Sequence, residues 1–425
     1  MADAQPFRAL HYDLEVTGGL DPVTAPPYDV IDADQRSELA SRSPWNVVHV
    51  DLPQAPQAGG DPYEEAARVF ERWREEGAVV QDAEPSFWAL TQDYTGPDGQ
   101  SRRRTGFLAA VRVEDYGPGR IRPHERTHPG PREDRLRLTR ATKANLSPIF
   151  SLYSDPEGRA GDALAGITAG EPWATQEDQD GTVNRLWRVS GKEEAQELQE
   201  ALESSELLIA DGHHRYETAR VYAEETGGEG PQRYVLMDLV ALEDPGLTVF
   251  PTHRLVTGLA DDPDRAAALR AELERCFEVT ELGSEADLPP GGPSADGRVQ
   301  FGYLDAMERR PLRLVLRDRA IADAALKDFP EPYRELDTAV LEALVLTGPL
   351  GLTEEDISHL NGLGYSRSDE EALAMVGNGF DAAFFLSGVP VEQIREIAAT
   401  GVNMPPKSTF FTPKVPTGLL FHSLA

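Results

Sequence analysis

The stretch Leu207-Leu208-Ile209-Ala210-Asp211-Gly212-His213-His214-Arg215 holds the residues best suited to chemistry. A short apolar run stops at Asp-Gly, two histidines and an arginine follow, and a helix-like pattern begins. The start of a helix offers backbone N–H donors that the helix itself does not use, and these favour anions, phosphate above all. Gly212 lets a backbone come close to a ligand, and Arg215 adds a permanent charge with a planar fork. Gly212 and Arg215 are therefore candidates to bind phosphate oxygens. His213 and His214 are candidates to reach a transferred group. Asp211 could hold a magnesium ion or accept a proton from a hydroxyl. The plainer alternative is a polar turn whose histidines satisfy local carbonyls.

Three further polar segments stand out. Ile121–His128 offers His124, Glu125 and Arg126 on a loop. His124 and His128 are spaced four apart, but Pro123 and Pro129 disfavour a helix there, and no glutamate sits where a metalloprotease pair needs it. Downstream, Arg132, Arg135, Arg137 and Arg140 precede Lys143. Those cations could bind nucleotide phosphates or pair with acidic surface. Asn403–Lys414 carries Lys407, Ser408 and Thr409. It lacks the glycine-rich loop of a Walker A motif, having prolines instead. In Thr24–Ile31, Pro26 and Pro27 fix an extended segment ahead of Tyr28 and Asp29, and Asp29 could hold an amine or a hydroxyl.

These loops need a scaffold, and the 425 residues suffice for two or three domains. Strands and helices alternate throughout. Asp61-Pro62 opens a helix ending at Gly77, with apolar positions Tyr63, Ala66, Ala67, Phe70 and Trp73 at helical spacing. Segments 86–94 and 103–113 read as a hairpin, 192–202 as a polar helix, and 233–242 as a strand. Asp262-Pro263 caps a helix, and 299–307 with 312–316 reads as a second hairpin. Boundaries near residues 150 and 260 divide the chain into an N-terminal α/β region (1–150), a region with the Asp-Gly-His-His-Arg turn (151–260), and a C-terminal mixed α/β region (261–425).

Composition narrows the classes. The net charge is −32, and only five of the 41 basic residues are lysine. Such a surface suits a halophilic cytoplasm, where salt screens self-repulsion. It argues against a broad nucleic-acid face, which needs clustered cations. No run approaches the roughly 18 apolar residues of a membrane span. The first residues lack a signal-peptide pattern, so a cytoplasmic location is expected. The lone Cys276 excludes an internal disulfide framework and reads as a core residue. A homodimer is compatible with all of this.

Four motifs in order, Ala25-Pro26-Pro27-Tyr28-Asp29-Val30, His124-Glu125-Arg126-Thr127, Asp211–Ala219 and Met404-Pro405-Pro406-Lys407-Ser408-Thr409, resemble domain-of-unknown-function family 1015 over nearly the whole chain. The Asp-Gly-His-His-Arg turn is also similar to the phosphate-binding turn of the ParB/sulfiredoxin-like fold, which includes free-serine kinases. This likeness implies an α/β or α+β fold: a ParB/sulfiredoxin-like core with a mixed sheet around residues 100–260, plus a mixed C-terminal domain. It implies a magnesium-dependent kinase that moves phosphate from ATP or ADP to a hydroxyl, free L-serine first. Sulfiredoxins place a cysteine where His213 stands, and partition proteins follow the turn with a DNA-binding helix-turn-helix where this chain has a strand. The serine kinases use a glutamate base, for which Glu125 is the first candidate and Asp29 the second. The Lys407-Ser408-Thr409 loop would close over the site. Two alternatives stay open: a nucleotide-binding regulator without turnover, and a metal-dependent hydrolase using His124 and His128.

Overall fold

A computed structural model describes the chain except for Met1, Gln57, Ala58, Arg126, His128 and Ser204 and the side chains of Pro129 and Pro131. The expected roles of Arg126 and His128 thus lie outside the described residues. The chain forms two compact units. The first comprises 1–123, 127–247 and 413–425; the second comprises 124–126 and 248–412. The second unit is mostly an insertion in the sequence of the first.

The first unit is built on a nine-stranded mixed sheet. Its strands are β1 (Phe87–Thr95), β2 (Ser101–Arg112), β3 (Ile121–Arg122), β4 (Ile149–Tyr153), β5 (Ala174–Glu177), β6 (Val183–Val189), β7 (Leu207–Asp211) and β8 (Tyr234–Ala241), joined by Ala4–Gln5 on β2. The order is β3-β7-β4-β8-β2-β1-β6-β5. β4 runs parallel to β8, and β3 runs parallel to β7; the other main pairs are antiparallel. The alternation of strands and helices in the sequence thus becomes a mixed α/β fold.

Strand alternation gives this sheet two different faces. Phe107, Ala109 and Val111 of β2 point into an apolar core with Leu164, Leu198, Leu202, Met237 and Leu239. Leu164 comes from helix α3 (Arg159–Thr168), and Leu198 and Leu202 from α4 (Lys192–Leu202). They follow α1 (Pro62–Glu75) and α2 (Pro129–Thr142) in the chain. α1 begins as its sequence dictates: Asp61 accepts from the Tyr63 N–H, and Pro62 occupies the first turn. Phe70 and Trp73 then sit on one buried face, and the Phe70 ring packs edge-on against Phe421 at 5.3 Å.

The second unit has a six-stranded antiparallel sheet. Its strands are β9 (His253–Val256), β10 (Phe277–Glu281), β11 (Gln300–Asp305), β12 (Leu312–Leu316), β13 (Leu363–Ser366) and β14 (Ala382–Phe385), in the order β10-β12-β11-β14-β9-β13. Leu255, Leu304, Ala383 and Phe385 form the core on one face. Among the described residues, no helix is long and apolar enough to cross a membrane.

Candidate functional site

β7 leads straight into helix α5 (His213–Thr226). Its pairing with β4 shifts register between Ile209 and Asp211, a bulge that redirects Asp211 at the strand end. Gly212 then takes φ +97°, a left-handed conformation that L side chains rarely adopt. No side chain caps α5 at Gly212. A Cβ at this position would stand 3.0 Å from the Arg215 Nε, so the turn admits glycine for two separate reasons. Gly212→Ala is expected to lower unfolding free energy by about 1–2 kcal/mol, measured by urea denaturation at fixed salt. An unchanged midpoint would show that the turn relaxes freely.

Asp211 is the hub of the turn. Its Oδ2 accepts from Arg215 Nη2 at 2.7 Å, and its Oδ1 pairs with the Lys414 ammonium. Burial opposes the carboxylate charge. Lys414, Arg215 and His213 outweigh that and hold the carboxyl well below the usual carboxylate range. Asp211 therefore stays ionised and is a poor proton acceptor at neutral pH. Arg215 is fixed from further sides: Nη1 donates to Ser147 Oγ at 2.6 Å and to the Pro148 carbonyl. His213 is buried as the first residue of α5, and His214 is half-buried beside it.

The sheet extends this polar site sideways. Gln176, Asn184, Gln92 and Arg104 stand in register across β5, β6, β1 and β2. Asn184 Nδ2 donates to Gln176 Oε1 at 2.7 Å, and Gln92 Nε2 donates to Asn184 Oδ1 at 2.8 Å. Arg104 Nε donates to Gln92 Oε1 at 3.1 Å, and its guanidinium lies 4.2 Å over the Phe150 ring. Asp238 of β8 is buried on this same face, with neither carboxylate oxygen hydrogen-bonded among the described residues. Burial raises its pKa to about 7, against the pull of Arg104. The segment after the second unit lies along the row, with the Pro413 carbonyl accepting from Arg104 and the Lys414 carbonyl from Gln92.

The first unit also draws together motifs far apart in sequence. A small cavity of about 40 Å³ is lined by Tyr28, Asp51, Arg135, Ser147 and Arg215, among others. Burial pushes the Tyr28 hydroxyl up to about 12, moderated by Arg215 and Arg135. Asp29 is exposed in the short turn Tyr28–Val30. Lys143 is exposed at the end of α2, with φ +49°. Here the arginine cluster pairs with acids. Arg135 donates to Asp51 at 2.9 Å, Arg137 to Asp61 at 2.6 Å, and Arg140 to Glu225 at 2.6 Å.

The second unit holds the other candidates. His124 Nε2 lies 3.0 Å from Thr409 Oγ1, and the Met404 N–H donates to the His124 carbonyl at 2.8 Å. Ser408 is buried: its hydroxyl donates to the Pro405 carbonyl at 2.7 Å and bonds Thr338 Oγ1 at 2.8 Å. It fixes the loop rather than facing a ligand. Lys407 is exposed, at φ +57°. Glu125 is half-buried, and its charge adds to the raised pKa of Tyr365. In this unit too, Cys276 is a buried thiol pushed up to about 11 by burial and Glu272, as a core residue should be.

The donor set tests the magnesium expectation. Both oxygens of Asp211 already face cations, and among the described residues no group of three histidine, cysteine or acidic side chains is placed to hold a metal. Magnesium prefers near-octahedral oxygen ligands, and these residues do not fit a protein-held ion.

Sequence reading missed Lys414, Arg104 and Asp238 as site residues. Lys414 carried a signal, as one of five lysines. Arg104 is the third of three successive arginines, and nothing in the local sequence separates it from Arg102 and Arg103.

The chain belongs to the family described as protein of unknown function (DUF1015), whose model matches residues 4–339. No curated protein matches it. Solved structures similar to it include a conserved hypothetical protein from Pyrococcus furiosus, at 16% identity over 70% of this chain and 90% of that one, with a TM-score of 0.35. A variant of a free serine kinase in complex with AMP gives 15%, 71%, 89% and 0.36 in the same terms. C-terminally truncated SbnI from Staphylococcus aureus gives 12%, 73%, 87% and 0.36.

Proposed function

We propose that the chain is a small-molecule kinase that transfers a phosphoryl group from ATP or ADP to a hydroxyl, with free L-serine the first acceptor to test. The observation carrying this reading is the turn at Asp211–Arg215. A glycine-only backbone opens a 14-residue helix that no side chain caps, and Arg215 and Lys414 converge beside it. Phosphoryl transfer asks mainly for placement and charge neutralisation, which such a turn supplies. The acceptor class rests on the similarity of this turn to that of free-serine kinases.

In the reaction, the acceptor oxygen bonds to the terminal phosphorus, the bridging P–O bond breaks toward the nucleotide, and the hydroxyl proton passes to a carboxylate. Asp211 orients Lys414 and Arg215 as phosphate partners. Asp29, in the same unit as the turn, is the candidate base.

Purified protein incubated in high salt with ATP or ADP and L-serine is expected to form phosphoserine, detected by phosphorus NMR. His214→Ala is expected to reduce the rate at least tenfold with the fold intact by circular dichroism. Nucleotide binding without product from any hydroxyl acceptor would favour the regulator reading. Absence of both would overturn the proposal.

A further inference from the structure

The second unit contains a cavity of about 350 Å³ between the sheet and helix α6 (Pro263–Cys276). Its size falls within the range of small-molecule sites. It shares no residue with the Asp211–Arg215 turn and is independent of the kinase reading.

The walls are of two kinds. Leu269 and Leu273 of α6 face Val279, Leu312 and Leu314 of the sheet, giving an apolar interior. Val279 is 39% exposed and the neighbouring Met307 is 76% exposed, so large apolar side chains stand at the mouth. The polar lining is acidic in balance: Glu274, Asp305, Glu308 and Asp381 against Arg270 and Arg310. Both cations are already engaged, Arg270 with Glu308 at 3.0 Å and Arg310 with Glu281 at 2.6 Å.

Glu308 is paired through both oxygens, with Arg270 and Arg310, but Asp305 and Asp381 are only half used. Asp305 accepts the Met307 and Glu308 N–H groups through Oδ1, and Asp381 accepts the Leu259 N–H through Oδ2 at 2.8 Å. Among the described residues, the second oxygen of each has no protein hydrogen bond. Tyr303, 7% exposed, also lines the cavity, and its hydroxyl has no hydrogen-bond partner among the described residues. Its burial and the nearby Asp305 keep the hydroxyl protonated.

We propose that this cavity binds a small apolar molecule bearing one ammonium group, its body against the leucines and its N–H donors on Asp305 and Asp381. An ammonium supplies the donors that the carboxylates lack and neutralises the acidic excess.

The test uses the full chain and three probes with one body: 2-naphthylmethylammonium, 2-naphthalenemethanol and 2-naphthoate. Binding is read by probe fluorescence. The ammonium is expected to bind at least tenfold more tightly than the alcohol, with the carboxylate weakest. Asp305→Asn should remove most of the ammonium's advantage. Ala266→Phe should abolish binding of all three by filling the cavity. Should that variant misfold, Val279→Trp enlarges a side chain at the mouth and makes the same test. Equal affinity for the three probes, no binding at millimolar concentration, or binding that survives both filled variants would overturn the proposal.

Discussion

Arg215→Ala is expected to destabilise the protein by about 3 kcal/mol and to weaken nucleotide binding at least tenfold. Its guanidinium satisfies Ser147, Pro148 and Asp211 at once, and its side chain is only 12% exposed. Removing one partner of a buried ion pair costs about 3–5 kcal/mol. Lys414 remains to share the Asp211 charge, which places the expectation at the lower end. Arg215→Lys restores the charge but not the planar fork, so it should recover less than half of the lost stability. Urea denaturation and nucleotide titration, both at one salt concentration, read the two effects. A stability loss below about 1 kcal/mol would mean that the fork does not hold the turn.

The second large effect is expected at Asp238. Its folded pKa is raised from 3.8 to about 7 by burial. The sign follows from linkage. Below pH 4 the carboxyl is protonated in both folded and unfolded chains and costs nothing. Between about pH 4 and 7 the unfolded chain releases its proton while the folded chain keeps it, so stability falls as pH rises. At 1.36 kcal/mol per pH unit, the interval corresponds to about 4 kcal/mol at most. Asp238→Asn keeps the shape and removes the titration. The variant is expected to match the parent near pH 4 and to exceed it by about 1–4 kcal/mol at pH 8. Comparing the two proteins at each pH cancels the many other acids of the chain. Equal stabilities at pH 8 would show that Asp238 is charged and accommodated by Arg104.

Local rules made much of the fold legible in the sequence. Asp61-Pro62 predicted the start of α1, and segments 86–94 and 103–113 read as the hairpin that β1 and β2 form. The hairpin of β11 and β12 was equally visible. The turn at 211–215 was legible because glycine, charge and apolar run fall within nine residues. Helix α2 was harder, because Pro129 and Pro131 fall in its first turn and its arginines read as a binding patch. In the fold they answer Asp51, Asp61 and Glu225, partners that only the tertiary structure supplies.

What no local pattern could give is the partner of Asp211. Lys414 lies 203 residues further on, beyond the entire second unit. The polar row from Gln176 to Arg104 depends on strand register, which pairing decides and composition does not. Arg104 and Asp238 share a face only because β2 and β8 are neighbours.

That long return has a consequence for how the protein is made. A ribosome produces residues 1–247 of the first unit, then the whole insertion, and only then Pro413–Ala425. Until those residues emerge, Asp211 lacks Lys414, Arg104 lacks the Pro413 carbonyl, and Leu10 lacks its backbone partner Phe421. Domains generally fold as they are synthesised, N-terminal first. Here the earlier-made unit, lacking only residues 413–425, must wait until the insertion has been made, and a message cut short within the insertion yields a chain whose turn at Asp211 is missing its second cation.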